Sequence, residues 1–111
     1  MRDNIHSYDV IRAVEEFARS PRPGEVYNIG GGRANSVSIL EAMAMVQDMT
    51  GRKIAWCYEE KARKGDHICY ISNLRKFKSH YPRWQITRDL KSILTEMIEA
   101  EGKHALGARV R

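Results

Sequence analysis

The sequence has few cysteines and no long apolar run. Cys57 and Cys69 belong to no Cys-x-x-Cys pair, so neither a disulfide scaffold nor a zinc finger is expected, and we predict reduced, packed thiols. The longest apolar run, Ala42 to Val46, is far shorter than the roughly 20 residues of a membrane span. The charged start also lacks the hydrophobic stretch of a signal peptide. These absences predict a cytoplasmic protein with no membrane partner.

Several signatures of catalysis are also missing. No Gly-Lys-Ser/Thr occurs, which excludes a Walker phosphate loop. The four histidines fall at no metal-ligand spacing and on different predicted elements, so no metal site is expected; they are His6, His67, His80 and His104. The residues alone therefore indicate no catalytic group.

The length and charge are those of one small basic domain. The chain has 111 residues, of which 42% are apolar and 30% charged, as in ordinary folded domains. Residues 61–91 contain nine basic and two acidic residues, a net charge of +7, whereas the whole chain carries +5. Such a localised excess indicates an anionic partner: a phosphate ester, a nucleic acid or an acidic surface.

The first third of the chain predicts a helix, a strand and a glycine loop. Apolar side chains recur at helical spacing from Ser7: Val10, Ile11, Val14, Phe17 and Ala18. Ser7 and Asp9 are interpreted as caps of this helix. Glu25 to Ile29 is β-prone and predicts a strand buried on both faces.

Gly30 to Gly32 lies between that strand and the next predicted helix. This is the context of a dinucleotide-binding loop, but Asn35 stands where such a loop needs glycine or alanine. A tight turn is therefore the preferred interpretation, and a nucleotide loop is the alternative.

The rest of the chain predicts a mixture of helices and short strands. A capping box at Ser38 and Glu41 opens a helix that ends at Gly51. Residues 53–59 alternate apolar and polar side chains, which predicts a half-buried strand, and 67–71 predict another. A short helix over 73–80 turns Leu74 and Phe77 inward. The last helix begins after Thr87 as N-cap and ends at Gly102, followed by a fraying tail.

The most informative charged residues are Arg2 and Arg63, because guanidinium groups bind a diphosphate in bidentate fashion. By spacing alone, the preferred interpretation of each arginine is a solvated surface charge, and diphosphate binding is the alternative. The alternative function is a small basic nucleic-acid-binding protein that uses the 61–91 face. It would use these cations and stacking rings: Lys61, Arg63, Lys64, Arg75, Lys76, Lys78 and Arg83, with Tyr81 and Trp84. In the opposing interpretation, Phe77 and Trp84 lie in the core.

Five short motifs follow one another in a recognisable order. They are Arg-Asp-Asn-Ile-His-Ser-Tyr-Asp-Val at 2–10, Tyr-Asn-Ile-Gly at 27–30, Ser-Ile-Leu-Glu at 38–41, Arg-Lys-Gly-Asp at 63–66, and a short lysine-bearing helix that ends near Trp84. Over residues 2 to about 100, this order resembles the C-terminal part of the extended short-chain dehydrogenase family, the NAD-dependent nucleotide-sugar epimerases and dehydratases. The predicted fold class is accordingly α/β, a C-terminal fragment of an extended Rossmann-type short-chain dehydrogenase.

The resemblance implies a binding site for a nucleotide-diphosphate sugar. Arg2 and Arg63 would clamp the diphosphate, with Asp66 near the nucleoside and Asn4 close by. The intact enzymes move hydride between the sugar and NAD. Their cofactor fingerprint and their Tyr-x-x-x-Lys pair lie upstream, and neither occurs here, so the chain alone is expected to be inactive.

The resemblance also implies three regions. Residues 1–35 would be the edge helix, strand and loop of an incomplete Rossmann sheet, 36–102 a substrate-binding α+β region, and 103–111 a flexible basic tail. A severed sheet edge exposes unpaired backbone, so self-association through that edge is expected.

Overall fold

A computed structural model describes residues 1–61 and 64–110, with side chains as far as Lys103. These residues form a small mixed α/β fold with four helices and one two-stranded antiparallel sheet. The elements are β1 (Arg2–Asp3), α1 (Ser7–Arg19), β2 (Ser36–Val37), α2 (Ile39–Thr50), α3 (Arg75–His80) and α4 (Leu90–Val110), with a 3₁₀ turn at Arg33–Asn35. The mixed α/β class is confirmed, whereas its origin in a Rossmann fold stays a prediction.

β1 has a backbone partner on each side. It pairs with β2 in antiparallel register, Arg2 opposite Val37 and Asp3 opposite Ser36. On its other side the Asp3 amide donates to the Tyr70 carbonyl at 3.1 Å, and the Tyr70 amide donates to the Met1 carbonyl at 2.9 Å. The short strand is thus fixed by segments some 35 and 68 residues away in the sequence.

The three longer strands predicted from periodicity are wrong. Residues 25–29 form no regular element, with Tyr27 and Ile29 half-buried; residues 53–59 are exposed except for Ile54, and 67–71 contribute only the bridge at Tyr70. Alternation describes an extended backbone with two faces, but a strand also needs a neighbouring strand to hydrogen-bond. No described residues provide that neighbour for 25–29 or 53–59.

Helices with local end signals are confirmed. At the start of α2, the Glu41 amide donates to the Ser38 hydroxyl at 3.1 Å and the Ser38 amide donates to the Glu41 carboxylate at 3.2 Å. Gly51 ends the helix with a φ of 68°, a conformation that glycine adopts without strain. α3 is also confirmed, with Leu74 and Phe77 buried.

α1 forms as predicted, but it presents a different face to the core. Asp9 and Ala13 are buried, whereas Ile11 is 64% and Val14 63% exposed. The expected inward stripe is therefore wrong at these positions. The capping assignment is also wrong, because His6 is the N-cap and its Nδ1 accepts from the Tyr8 amide at 2.9 Å.

The core is a small aromatic cluster: Ala13, Leu74, Phe77, Tyr81 and Trp84. The rings of Phe77 and Trp84 meet edge to face with centroids 5.1 Å apart, a favourable arrangement.

Cys57 and Cys69 are free and exposed, so the prediction that they are packed is wrong. The radius of gyration is 17.4 Å, compared with about 13 Å for a compact domain of this length.

Asp9 connects α1 to the segment before α4. Its carboxylate is fully buried and accepts from the Thr87 hydroxyl at 2.7 Å, from the Thr87 amide at 3.1 Å and from the Arg88 amide at 3.1 Å. Burial raises the pKa of Asp9, but the hydrogen bonds from Thr87, Arg88 and Arg12 outweigh it, so this pKa lies below its ordinary value. The anion is therefore the form that stabilises the fold.

α4 differs from the prediction at both ends. Asp89 caps it, accepting from the Ser92 amide at 2.8 Å, because Thr87 is used by Asp9. Gly102 does not end the helix, since it lacks the positive φ of a helix-terminating glycine; the flexibility of the tail stays a prediction. No described helix is both long and apolar enough to cross a membrane.

We predict that Asp9→Asn lowers the free energy of unfolding by about 3 kcal/mol, because an amide nitrogen replaces an acceptor that faces several buried donors. Urea unfolding followed by circular dichroism measures this loss. Asp48→Asn removes the same charge from an exposed site on α2 and should change stability by less than about 0.5 kcal/mol. Equal losses in the two variants would contradict the role of Asp9.

The Asp9 carboxylate should make the stability of the protein depend on pH. Because the folded pKa of Asp9 lies below the unfolded value of 3.8, its stabilisation is complete above the unfolded pKa and is lost as pH falls through the folded pKa. Urea unfolding between neutral pH and pH 2 should show wild-type stability declining in this acidic window, and Asp9→Asn declining less steeply. Parallel curves would contradict it.

Candidate functional site

A cavity of about 420 Å³ opens beside β1 and brings together three of the predicted site residues. Arg2 and Asn4 reach it from β1 and its continuation, and Asp66 from the turn at 64–65. Val37, Ile39 and Ala42 supply an apolar wall from β2 and the first turn of α2. This cavity, hereafter the Arg2 cavity, therefore combines the Arg2 cation, the Asp66 carboxylate and the Asn4 amide with an apolar surface. The rest of its lining is Met1, Ser38 and His67.

Arg2 and Asp66 form an ion pair in this cavity. Arg2 Nη2 donates to Asp66 Oδ1 at 2.6 Å, and the two side chains are 55% and 35% exposed. Because only one guanidinium nitrogen makes this contact, the other N–H groups of the planar fork are not engaged by Asp66. A charged, partly solvated guanidinium thus faces an open volume.

Asn4 has a structural contact as well as a position in the cavity. Its backbone amide and its Nδ2 both donate to the Asn35 carbonyl, at 3.1 and 3.2 Å. These bonds tie the end of β1 to the 3₁₀ turn. Asn4 is therefore held rigidly beside Arg2.

The fourth predicted residue, Arg63, lies outside the described residues. Its convergence with Arg2 on one diphosphate stays a prediction. The neighbouring Gly65 has a φ of 85°, and the turn that contains it delivers Asp66 to Arg2 across 64 residues of sequence.

Sequence reasoning missed Asp3, which anchors the strand that carries Arg2. Its Oδ2 accepts from the Gly32 amide at 3.1 Å and from the Ser72 amide at 3.0 Å. Burial raises the pKa of Asp3, but the hydrogen bonds from Ser72 and Gly32 outweigh it and hold this pKa below its ordinary value. The available signal was strand alternation, which sends Arg2 and Asn4 to one face and Asp3 to the other.

The glycine loop is required for close packing. A Cβ on Gly31 would lie 1.8 Å from the Asn4 carbonyl oxygen, and one on Gly30 would lie 2.4 Å from the Asp3 carboxylate. The Gly32 amide already donates to Asp3. The protein's own atoms therefore fill the space beside Gly30 and Gly31, as the preferred tight-turn interpretation expects.

The stacking platforms of the nucleic-acid alternative are buried. Tyr81 and Trp84 belong to the core, and Trp84 Nε1 donates to the Asp9 carbonyl at 2.9 Å. Lys76 is held by Glu25 at 2.7 Å and by the Val26 carbonyl at 2.9 Å. The proposed use of these two rings as exposed stacking surfaces is therefore wrong.

Comparison with known proteins gives no match: no family model, no curated protein and no solved structure is significantly similar to this chain.

We predict that Gly31→Ala destabilises the protein by about 3 kcal/mol, because the new methyl group meets backbone that can move only by displacing Asn4. Thermal unfolding monitored by circular dichroism measures the effect. Gly24→Ala is the control: Gly24 has a φ of 79° but open space around its Cβ position, so only backbone strain of about 1 kcal/mol is expected. A smaller loss for Gly31→Ala than for Gly24→Ala would contradict this packing role.

Proposed function

We propose that the protein binds a nucleotide-diphosphate sugar in the Arg2 cavity and represents the substrate-binding portion of an NAD-dependent sugar epimerase. The observation that supports this most directly is the meeting of Arg2, Asn4 and Asp66 in one cavity. The motif resemblance indicates these residues in two motifs, Arg2 and Asn4 in the one at 2–10 and Asp66 in the one at 63–66. Arg2 supplies charge to a phosphate, and Asp66 supplies an acceptor for hydroxyl groups.

Side chains supply more of the site's positive charge than the N-terminus of α2 does. Ser38 and Ile39 line the cavity at the start of α2, where helix amides favour anions. The Glu41 carboxylate caps this end, however, and hydrogen bonds with Ser38 hold its pKa below its ordinary value. Arg2, together with Arg63 in our proposal, therefore provides the positive charge for the diphosphate.

The apolar wall suits the flat face of a nucleobase. Ile39 is largely exposed although it lies beside the polar half of the cavity, and Val37 and Ala42 extend the same surface. Burying exposed apolar area against a ring is favourable in proportion to that area. One ligand with a base, a ribose and a diphosphate would use both halves of the cavity.

Within the family, three stretches point to CDP-paratose (CDP-tyvelose) 2-epimerase. They are Gly-Asp-His-Ile at 65–68, Lys-Phe-Lys-Ser-His-Tyr-Pro at 76–82, and Trp84-Gln85. We therefore propose a CDP-sugar as the ligand. In the intact enzyme, hydride would leave sugar C2 for NAD and return to the opposite face of the keto sugar.

Asp3, Asn4 and Ser72 fill the space beside Gly30 and Gly31, which supports placing the NAD site outside the glycine loop. Binding of NAD and transfer of hydride accordingly belong, in this proposal, to the intact enzyme, and this chain alone holds substrate. A cytoplasmic location is part of the same proposal.

We predict that CDP binds the wild-type protein and that Arg2→Ala combined with Arg63→Ala abolishes detectable binding in calorimetry. Each lost charged hydrogen bond contributes about 1.5 kcal/mol at a partly solvated site, or roughly tenfold in affinity. Arg75→Ala removes an exposed arginine outside the Arg2 cavity and should leave the affinity within about twofold. Equal heats for wild type and the double variant would reject the proposal.

A matched titration separates this function from nucleic-acid binding. We expect a short oligonucleotide to raise the melting temperature by no more than CDP does. If instead the oligonucleotide stabilised the protein at 50 mM salt and lost affinity by orders of magnitude at 200 mM, counterion release from a basic face would be indicated.

A further inference from the structure

Asp66 occupies the place at Arg2 that an anionic ligand would take. Its Oδ1 lies 2.6 Å from Arg2 Nη2 inside the Arg2 cavity. We propose, resting on the proposed function, that Asp66 is a specificity-determining residue: it competes with simple anions for Arg2, so that the site discriminates against inorganic phosphate and pyrophosphate. This role goes beyond the place near the nucleoside that the motif resemblance implies for Asp66.

The competition follows from charge and geometry. The Arg2–Asp66 pair is neutral overall, so an approaching anion meets both an attractive guanidinium and a repulsive carboxylate. An anion that takes the Nη2 donor leaves Asp66 without that partner. Because both side chains are partly solvated, the pair has the strength of a surface salt bridge, and the expected penalty is about two- to fivefold in affinity.

Ligands differ in the hydrogen-bond donors that they offer to the Asp66 carboxylate once its bond with Arg2 is lost. Inorganic pyrophosphate presents mainly acceptors and adds negative charge beside Asp66. A phosphate ester with free sugar hydroxyls instead presents donors that a carboxylate accepts. Asp66 thus lowers the affinity for the inorganic anion more than the affinity for a hydroxyl-bearing ester. The Arg2–Asp66 pair therefore makes the site prefer such esters to inorganic anions.

The test compares inorganic pyrophosphate with CDP on Asp66→Asn. This substitution keeps the shape of the side chain and removes its charge. We expect Asp66→Asn to bind pyrophosphate two- to fivefold more tightly than wild type and to gain less for CDP, so that the CDP-to-pyrophosphate affinity ratio falls. Asp48→Asn adds the same net charge away from the cavity and should leave the ratio unchanged.

Two further measurements connect the effect to Arg2. In an Arg2→Gln background, Asp66→Asn should give no gain for pyrophosphate beyond that of Asp48→Asn. Peptide mass spectrometry should also show that an arginine-reactive dicarbonyl modifies Arg2 faster in Asp66→Asn than in wild type or Asp48→Asn, independently of any ligand. Melting temperatures establish that each variant is folded.

Several outcomes would overturn the inference: equal pyrophosphate affinities in Asp66→Asn and Asp48→Asn, weaker or undetectable pyrophosphate binding in Asp66→Asn, or an unchanged rate of Arg2 modification. Failure of the proposed function has a separate signature. In that case wild type and all variants fail to bind CDP, while Asp66→Asn still exposes Arg2 to the dicarbonyl and still binds pyrophosphate more tightly than wild type.

Discussion

The position of the candidate site depends on one carboxylate, that of Asp3. It accepts from the Gly32 and Ser72 amides, which lie close in sequence to β2 and Tyr70, the two backbone partners of β1. Because alternate residues of an extended strand point to opposite faces, anchoring Asp3 on one side fixes Arg2 and Asn4 on the other. The glycines then allow the loop to approach Asn4 closely enough for these bonds to form.

A second carboxylate, that of Asp9, holds α1 in place beside the core by connecting it to the segment before α4. The aromatic cluster is small and several large apolar side chains of α1 are exposed, so apolar burial holds α1 weakly. The charged hydrogen bonds that Asp9 accepts from Thr87 and Arg88 therefore contribute substantially to the attachment of α1. This explains why a polar residue faces inward while Ile11 and Val14 face solvent.

The sequence predicts those elements whose signals are local. The capping box at Ser38 and the glycine at 51 lie within the helix that they define, and α2 forms with the expected bounds. Strand pairing, the inward face of α1 and the Asp9 contacts depend on residues up to 79 positions away, and periodicity contains no information about which partners are present. The motif resemblance indicates Arg2 and Asp66, but their ion pair arises only when β1 and the turn at 64–65 are folded together.

Solvent exposure determines how strongly the Arg2 cavity discriminates among anions. In the open cavity, water screens both members of the Arg2–Asp66 pair, and their attraction is weak. If a ligand's base covers Ile39 and excludes water, the same charges interact across a lower effective dielectric. The free-energy cost of leaving either charged group without a partner then rises. A ligand that pairs with Arg2 but leaves Asp66 unpaired then loses further affinity, so selectivity increases as the ligand covers more of the apolar wall. The polar and apolar halves of the cavity are in this way coupled through one ion pair.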